Sequence, residues 1–397
     1  MQNAEWVSTG LKLMGEQRLA EAVAAFDREL RHCPDNPTVH YLRGEALFLL
    51  RRLDEALNAH AAATRLAMRA GADRGAAMSG LVPGDFGWMS HMLRGDFESA
   101  WRLADADRDR RRRAGISGAD WPRHMRPVWD GAALAGARVL VRCYHGLGDT
   151  IQFARYLPLL AERAALVRVE AQPELIPLLR SVPGNVDFVA LGDRDHPPAR
   201  FGCDAEIDIT ELPHAFRTTL GTIPAAIPYL SVRPERLQEA ARRLGAVSGQ
   251  WRVGLVWAAG AWKPERSVPL DRLARLAEIP GVVLVNLQRG PEYRNWRETP
   301  GLLPMIEVFD SDAVVDTAAT IAALDLVVTV DTMVAHLAGA LGAPVWLMLH
   351  FAADWRWLLD RSDSPWYPTM RLFRQKRPGD WDAIVAEITT ALCQISF

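Results

Sequence analysis

The segment Cys143–Thr150, which reads "CYHGLGDT", places a histidine and an aspartate beside two glycines at a single junction. His145 and Asp149 are residue types that can accept a proton from a hydroxyl group. Gly146 and Gly148 lower the steric barrier to an unusual backbone and let a ligand approach closely. The junction therefore allows three interpretations: a plain turn, a cradle for phosphate, or a site where a proton is moved.

Two common nucleotide-binding patterns do not fit this junction. A dinucleotide fingerprint needs a third glycine where Ile151 stands, so an oxidoreductase function loses its best support. A Walker loop is excluded because no Gly-Lys-Ser/Thr follows the glycines. The structural alternative for Asp149 is that it caps the following helix, a common role for aspartate that contributes about 0.5–2 kcal/mol.

A second constellation lies in "VVTVDTMVAHLAGALGAPVW". The pattern predicts a buried strand that ends at Asp331 and Thr332, with a helix beginning at once near Met333. The start of this helix would then offer unpaired backbone amides, a hydroxyl and the positive end of the helix dipole at one position. That combination suits a diphosphate. His336 lies one helical turn beyond Thr332 and could donate to a phosphate oxygen. The structural alternative is a buried histidine bonded within the protein.

Two further loops follow predicted strands and carry polar side chains. Lys263 and Arg266 lie in the loop "VWAAGAWKPERSVPL", where these two cations could contact an anion. Gln288 and Glu292 lie in the loop "NLQRGPEYRNW", where they could form hydrogen bonds with a base or with ribose hydroxyls. Solvated charges and a plain polar turn are the structural alternatives. Because the carboxyl ends of parallel strands meet at one edge of a sheet, the joint placement favours a single binding site.

Strands and helices alternate through the part of the chain that carries these loops. The first set runs from the strand "RVLVRCY" through the helix "DTIQFARYLPLLAERA" to the strand "VDFVAL", and the second runs from "WRVGLVWA" to "PVWLML". This rhythm is typical of doubly wound α/β domains. Two such domains in tandem leave a cleft between them, with "RPERLQEAARRLGAVSGQ" as the predicted connection.

The chain before these domains contains an internal repeat. Seven residues recur at a constant offset of 34: Gly10, Leu13, Arg18, Leu19, Glu21, Ala22 and Ala25 return as Gly44, Leu47, Arg52, Leu53, Glu55, Ala56 and Ala59. That offset is the period of tetratricopeptide repeats, which are helical hairpins. Phe97 and Ala100 indicate a third unit at an offset of 44, so an insertion is expected in "AGADRGAAMSGLVPGD".

Composition narrows the class of protein. The 397 residues carry 46 basic and 48 acidic side chains, so a net charge of −2 gives no general attraction to nucleic acid. The four cysteines are widely spaced without a CxxC pair, which predicts buried thiols in a reducing compartment: Cys33, Cys143, Cys203 and Cys393. No secretory signal is expected, and the uncharged stretch from 332 to 353 is interrupted by two glycines, one proline and two histidines, which argues against a membrane span. A cytoplasmic protein is predicted.

The order of these blocks closely resembles the bacterial tetratricopeptide-repeat glycosyltransferases. The blocks that carry the resemblance are "GLGDTIQFARYLPLL" and "VDTMVAHLAGALGAPVW", and the catalytic half is similar to the ADP-heptose:lipopolysaccharide heptosyltransferases. The resemblance implies an α + α/β chain: repeats at 1–113, an acceptor-side Rossmann-like domain at 114–235 and a donor-side Rossmann-like domain at 236–397. The last two would form a GT-B fold.

The resemblance also implies roles for individual residues. Asp149 matches the carboxylate that takes the acceptor's proton, and Thr332 and His336 match the turn that binds the diphosphate. Lys263 falls near a basic residue that contacts donor phosphate, and Glu292 near an acid that holds the nucleoside. This sequence departs from its relatives at Tyr144 and His145, where "EQ" is usual, and its "AGAWKPERS" loop is shorter.

Together these observations predict an inverting, metal-independent glycosyltransferase in which Asp149 or His145 is the base. Further residues are predicted to bind the donor: Gly146, Gly148, Lys263, Arg266, Gln288, Glu292, Asp331, Thr332, Met333 and His336. No cofactor is expected beyond the nucleotide-sugar substrate. The repeats would recruit a protein acceptor such as flagellin, while glycan or lipid-linked acceptors stay open. The alternative is a non-catalytic adaptor or nucleotide-sugar sensor, and a nicotinamide-dependent oxidoreductase is third.

Overall fold

The computed structural model describes residues 3–69, 85–116, 121–126, 128–192, 201–245, 250–261, 263–299 and 301–395. The expected insertion at 70–85, except for Asp85, lies outside these ranges. The chain divides into two compact units. The first is Met1–Ala114 with Ala352–Leu359, and the second is Gly115–Phe351 with Asp360–Phe397.

The first unit is helical. Its helices within the described residues are α1 (Asn3–Gly15), α2 (Leu19–His32), α3 (Pro37–Leu49), α4 (Leu53–Arg69), α5 (Asp85–Leu93) and α6 (Phe97–Arg113). Helices α1 and α2, α3 and α4, and α5 and α6 pack as successive hairpins. The predicted helical stretch is thus confirmed, and the repeated positions Leu19, Leu53 and Phe97 each begin the second helix of a hairpin. The assignment to tetratricopeptide repeats stays a prediction.

The first two hairpins each have a glycine where their helices approach closely. A Cβ atom at Gly10 would lie 2.4 Å from the ring of Phe26, and one at Gly44 would lie 2.4 Å from the ring of His60. In both hairpins the glycine and the ring are sixteen positions apart, which is the recurrence expected of a true structural repeat. Only a residue without a side chain allows the helices to approach this closely.

We expect Gly10→Ala to lower the free energy of unfolding by about 1–3 kcal/mol, because Phe26 is fully buried and its ring cannot move aside. Urea denaturation of the full chain measures this effect. Gly15→Ala is the matched control in the same helix, since a Cβ there meets nothing within 4 Å. Equal midpoints for the two variants would contradict the close packing.

The segment Ala352–Leu359 completes the first unit although it is distant in sequence. The guanidinium of Arg51 donates a hydrogen bond of 2.6 Å to the carbonyl of Ala353. The rings of Trp88 and Trp355 meet edge to face with centroids 5.4 Å apart. Burial lowers the pKa of Arg51 to about 10. The segment is therefore an integral part of the helical packing.

His60 makes the first unit sensitive to acid. Burial in α4 lowers its pKa from 6.5 to about 4, so the neutral ring is favoured in the folded chain. Its stabilising contribution is complete above pH 6.5 and is lost as the pH falls through about 4, a loss of up to about 3 kcal/mol. We expect His60→Phe, which copies Phe26 of the preceding hairpin, to remove this sensitivity in urea denaturation at pH 7 and pH 4. If the unchanged chain and His60→Phe lose the same free energy of unfolding between pH 7 and pH 4, other titratable groups cause the acid sensitivity.

The second unit contains two parallel sheets. Its strands within the described residues are β1 (Arg138–Arg142), β2 (Leu166–Ala171), β3 (Val186–Ala190), β4 (Ala205–Asp208), β5 (Trp251–Val256), β6 (Val282–Asn286), β7 (Leu326–Val330), β8 (Val345–Leu349) and β9 (Met370–Arg374). The first sheet has the order β3-β2-β1-β4 and the second β6-β5-β7-β8-β9. Strand β7 is buried along its whole length, as expected of a parallel strand covered on both faces.

Helices connect these strands. The ones within the described residues are α7 (Leu147–Phe153), α8 (Leu157–Ala161), α9 (Ile176–Leu179), α10 (Leu212–Ala215), α11 (Pro234–Leu244), α12 (Pro291–Arg297), α13 (Val314–Ala322), α14 (Met333–Ala340) and α15 (Trp381–Gln394). The predicted order of a helical region followed by parallel-sheet α/β structure is confirmed. Helix α7, which follows β1, packs against α14, which follows β7. This contact between the two α/β halves positions the candidate site.

The sequence predicts two features: the lack of a membrane-spanning helix and the burial of the four cysteines. None of the helices in the described ranges has the length and apolar character needed to cross a bilayer. Of the cysteines predicted to be buried, only Cys143 is; Cys33 and Cys203 are partly exposed and Cys393 is exposed. The prediction was wrong for Cys393 because that residue lies on the outer face of α15, which buries Ile388 and Leu392 instead.

Candidate functional site

The loop between β1 and α7 is held in place by a side chain from the neighbouring strand. Gln172, directly after β2, donates hydrogen bonds to the carbonyl of Cys143 at 3.2 Å and to that of His145 at 2.8 Å. Its own oxygen accepts a bond of 2.9 Å from the hydroxyl of Thr150. The loop backbone is therefore fixed from both ends, which prepares the side chains of His145 and Asp149 for a defined geometry.

Asp149 lies in the first turn of α7 and is half-buried. Its Oδ2 accepts a hydrogen bond of 3.1 Å from the amide of Gly146, so the capping role considered from the sequence exists in the structure. A negative charge here is stabilised by the positive end of the helix dipole. Capping and proton transfer are compatible roles, because a carboxylate has several lone pairs.

His145 pairs with a carboxylate that the sequence did not identify. Its Nε2 lies 3.4 Å from Oδ1 of Asp208, the last residue of β4. The side chain of Asp208 is 4% exposed and that of His145 is 31% exposed. Burial raises the pKa of the Asp208 carboxyl, against the opposing effect of the neighbouring imidazole. Strand β1 and strand β4 are adjacent and parallel, which is why their carboxyl ends bring these two residues together.

On the second sheet, β7 ends at Val330 and α14 begins at Met333, as predicted. Asp331 is buried, and Thr332 is the N-cap residue but makes no side-chain hydrogen bond to the helix amides. The first amides of a helix have no partner inside it, and here the N-cap side chain does not satisfy them either. The start of α14 is therefore suited to an anion.

The two turns are in direct contact. A Cβ atom at Gly148 would lie 3.0 Å from Cδ2 of His336 and 3.5 Å from Cα of Met333. Glycine at this position thus allows the start of α7 to approach the start of α14. His336 is 6% exposed, and its Nδ1 lies 3.0 Å from the hydroxyl of Tyr367. A histidine bonded within the protein, the structural alternative, fits this environment; binding of phosphate by His336 stays a prediction.

Comparisons with known proteins give a mixed result. No family model matches the sequence. Protein FlbA of Caulobacter vibrioides is 26% identical over 415 aligned positions, which cover 98% of this chain and 66% of FlbA. The chain thus spans slightly less than two thirds of the length of that relative.

Two solved structures are similar at low identity. A glycosyl transferase family 9 protein from Veillonella parvula is 14% identical with a TM-score of 0.45, covering 67% of this chain and 92% of its own. The ADP-heptose lipopolysaccharide heptosyltransferase II of E. coli is 14% identical with a TM-score of 0.46. The match covers 64% of this chain and 99% of the heptosyltransferase.

Arg266 and Gln288 bond to the backbone of loops at the carboxyl ends of the second sheet's strands. Arg266 donates a hydrogen bond of 3.0 Å to the carbonyl of Asp331 and so ties the loop after β5 to the end of β7. Gln288 is buried, and its oxygen accepts hydrogen bonds from the amides of Trp257 and Ala258 at 3.2 and 2.9 Å. Both side chains therefore shape the loops, and a direct role in donor binding stays a prediction for each.

Lys263 and Glu292 lie on neighbouring loops of the second sheet. Lys263 is half-buried directly before the short helix Pro264–Arg266. Glu292 is exposed on α12 and accepts a hydrogen bond of 3.3 Å from the side chain of Asn295. Since β5 stands between β6 and β7 in the sheet, Glu292, which follows β6, lies one strand farther from β7 than Lys263, which follows β5.

A buried cation that stacks on Tyr367, the partner of His336, was not identified from the sequence. Arg155 is 3% exposed and donates hydrogen bonds to the carbonyls of Gln152 at 2.8 Å and Trp366 at 2.5 Å, and to the hydroxyl of Tyr229 at 3.1 Å. Its guanidinium lies 4.5 Å from the ring centre of Tyr367. Arg155 thus joins the segment after α7 to the segment between β8 and β9. Across the described ranges, no group of three or more histidine, cysteine or acidic side chains is arranged to hold a metal ion.

Proposed function

We propose that this protein transfers a sugar from a nucleotide-sugar donor to an acceptor hydroxyl, with inversion at the anomeric carbon and without a metal ion. The observation that carries the proposal is the contact of Gly148 with Met333 and His336. It places the turn that bears His145 and Asp149 against the uncapped start of α14. A proton acceptor and an anion-binding helix end therefore meet between two parallel sheets, which is the arrangement expected of a GT-B transferase.

The reaction follows from this arrangement. Asp149 or His145 takes the proton from the acceptor hydroxyl as its oxygen attacks the anomeric carbon, which contributes about 10²–10⁴ in rate. The bond from that carbon to the diphosphate breaks in the same step, so the configuration inverts. The amides at the start of α14 stabilise the charge that develops on the leaving nucleotide, with Lys263 and His336 assisting.

The acceptor in this proposal is a protein that the helical hairpins recruit in the cytoplasm. Arrays of such hairpins present extended concave surfaces on which helices or peptides bind. The recurring glycine contacts at Gly10 and Gly44 support an array of this kind. Flagellin or another surface protein is the acceptor class that the sequence resemblance suggests. For the donor, the solved structures similar to this chain include an ADP-heptose heptosyltransferase.

The proposal is tested with the full chain and a panel of nucleoside-diphosphate sugars. Thermal shift identifies the donor that binds, and release of nucleoside diphosphate is then measured with and without protein fractions as acceptor. We expect stabilisation by at least one donor and release that depends on the acceptor. Glycan profiles of cells with and without the gene identify the product. Binding of no donor would contradict the proposal, and binding without transfer would favour a nucleotide-sugar sensor or adaptor.

A further inference from the structure

The pair formed by His145 and Asp208 has the features of an oriented base. Asp208 is held by hydrogen bonds from Thr210, whose amide and hydroxyl donate to Oδ1 at 2.9 and 2.7 Å. Its Oδ2 is buried and accepts no hydrogen bond in the described part of the chain. The backbone of His145 is fixed by Gln172. Both members of the pair therefore have restricted positions, while the imidazole stays partly exposed.

The carboxylate of Asp208 lies beside Nε2 of His145, at 3.4 Å from Nε2 to Oδ1, and this placement bears on which nitrogen of His145 can act. A neutral imidazole has one N–H donor and one nitrogen with a lone pair. An ionised carboxylate beside Nε2 favours the proton there, so Nδ1 keeps the lone pair. When Nδ1 gains a proton, the same carboxylate stabilises the imidazolium, as in other carboxylate–histidine pairs.

Asp149 is less suited to the same task. Its carboxylate already accepts a hydrogen bond of 3.1 Å from the amide of Gly146 in the first turn of α7. That oxygen is therefore engaged in capping the helix. Histidine is also the side chain that most often serves as a general base.

We propose, on the basis of the transfer reaction above, that Nδ1 of His145 accepts the acceptor's proton and that Asp208 is a positioning residue that holds the imidazole in its Nε2–H form. The acceptor O–H bond breaks and its proton moves to Nδ1. The oxygen forms its bond to the anomeric carbon, and the bond to the diphosphate oxygen breaks with its electron pair on the diphosphate. The imidazolium then loses its proton to water after the product leaves.

The test compares kcat and KM for His145→Gln, Asp208→Asn and Asp149→Asn in the full chain, with the donor found by thermal shift. We expect His145→Gln to lower kcat about 10²–10⁴-fold and Asp208→Asn about 10–100-fold, each with little change in the KM of the donor. Asp149→Asn keeps an oxygen that can accept from Gly146 and should lower kcat less than His145→Gln. Asp208→Asn added to His145→Gln should cause no further loss, because both act through one imidazole.

A control separates orientation from folding. Asp187→Asn makes the same chemical change on β3, where Asp187 pairs with Arg168. This variant should keep kcat near that of the unchanged chain. In ¹⁵N NMR of the unchanged chain, His145 should show the Nε2–H form, and Asp208→Asn should reduce its population.

The outcomes distinguish this proposal from the one on which it rests. No transfer by the unchanged chain with any donor would overturn the proposed function. Transfer that is unaffected by Asp208→Asn, or that is lost in Asp149→Asn and kept in His145→Gln, would overturn the role of the His145–Asp208 pair alone.

Discussion

Replacing both candidate bases at once, His145→Gln with Asp149→Asn, should lower acceptor-dependent release of the nucleotide about 10²–10⁴-fold, whichever of them takes the proton. Glutamine and asparagine keep hydrogen-bonding capacity but cannot accept a proton at neutral pH. Donor binding should persist, because the diphosphate is proposed to bind the start of α14. Turnover and thermal shift with the same donor measure the two effects separately.

This prediction has a matched control and a clear contradiction. Asp187→Asn changes one carboxylate to an amide in the same sheet, at a side chain that is about half exposed and paired with Arg168. Turnover of the double variant equal to that of Asp187→Asn would place the proton transfer outside the loop between β1 and α7. Loss of donor binding together with turnover would instead show that the loop contributes to binding the donor.

Arg155→Met should lower the free energy of unfolding by about 3–5 kcal/mol. Methionine keeps much of the apolar volume but donates no hydrogen bonds, so the buried carbonyls of Gln152 and Trp366 would lose a charged partner. Each unsatisfied buried acceptor costs about 1–3 kcal/mol, and the stacking of the cation on Tyr367 is lost as well. Urea denaturation followed by tryptophan fluorescence measures the change.

Arg163→Met is the matched control, since Arg163 is exposed and stacks on Phe216 at 4.7 Å. A substitution at such a surface position changes stability by about 0.5 kcal/mol or less. If Arg155→Met unfolds at the same urea concentration as Arg163→Met, the hydrogen bonds of Arg155 do not join the two α/β halves. Because Arg155 stacks on Tyr367, whose hydroxyl bonds to His336, a stable Arg155→Met protein with reduced donor affinity would assign it a positioning role.

The sequence predicted the parts of the fold that depend on local pattern. Strands β1 and β7 are apolar runs, and each was expected within about two residues of its observed ends. The single helix expected over 149–164 is instead divided into α7, a short turn at Ala154–Tyr156 and α8. Pro158 explains the division, because it cannot donate the hydrogen bond that would continue the helix.

Strand β4 was missed because its stability comes from distant partners. It is only Ala205–Asp208, and Glu206 interrupts its apolar character. Glu206 pairs with the buried Arg142 of β1 at 2.8 Å. A charge that is satisfied by another strand cannot be distinguished in sequence from a charge that faces solvent, so a short strand of this kind gives a weak signal.

The same reason explains what could be predicted of the candidate site. The turns at Asp149 and Thr332 were predicted because ligands bind at the carboxyl ends of parallel strands, a rule that needs only the position of each strand. Asp208 depends on the pairing of β4 with β1, and Arg155 depends on Trp366 in a loop of the other half. Three-dimensional pairing, and not residue type, gives those two side chains their importance.

The inclusion of Ala352–Leu359 in the helical unit has a consequence for biosynthesis. The ribosome synthesises α1–α6 early. Arg51 and Trp88 can form their contacts with Ala353 and Trp355 only when most of the polypeptide has emerged. The nascent helical unit therefore stays incomplete while the second unit is translated. An excised fragment that ends at Ala114 would lack part of its own interior, and a fusion that carries Ala352–Leu359 would restore it.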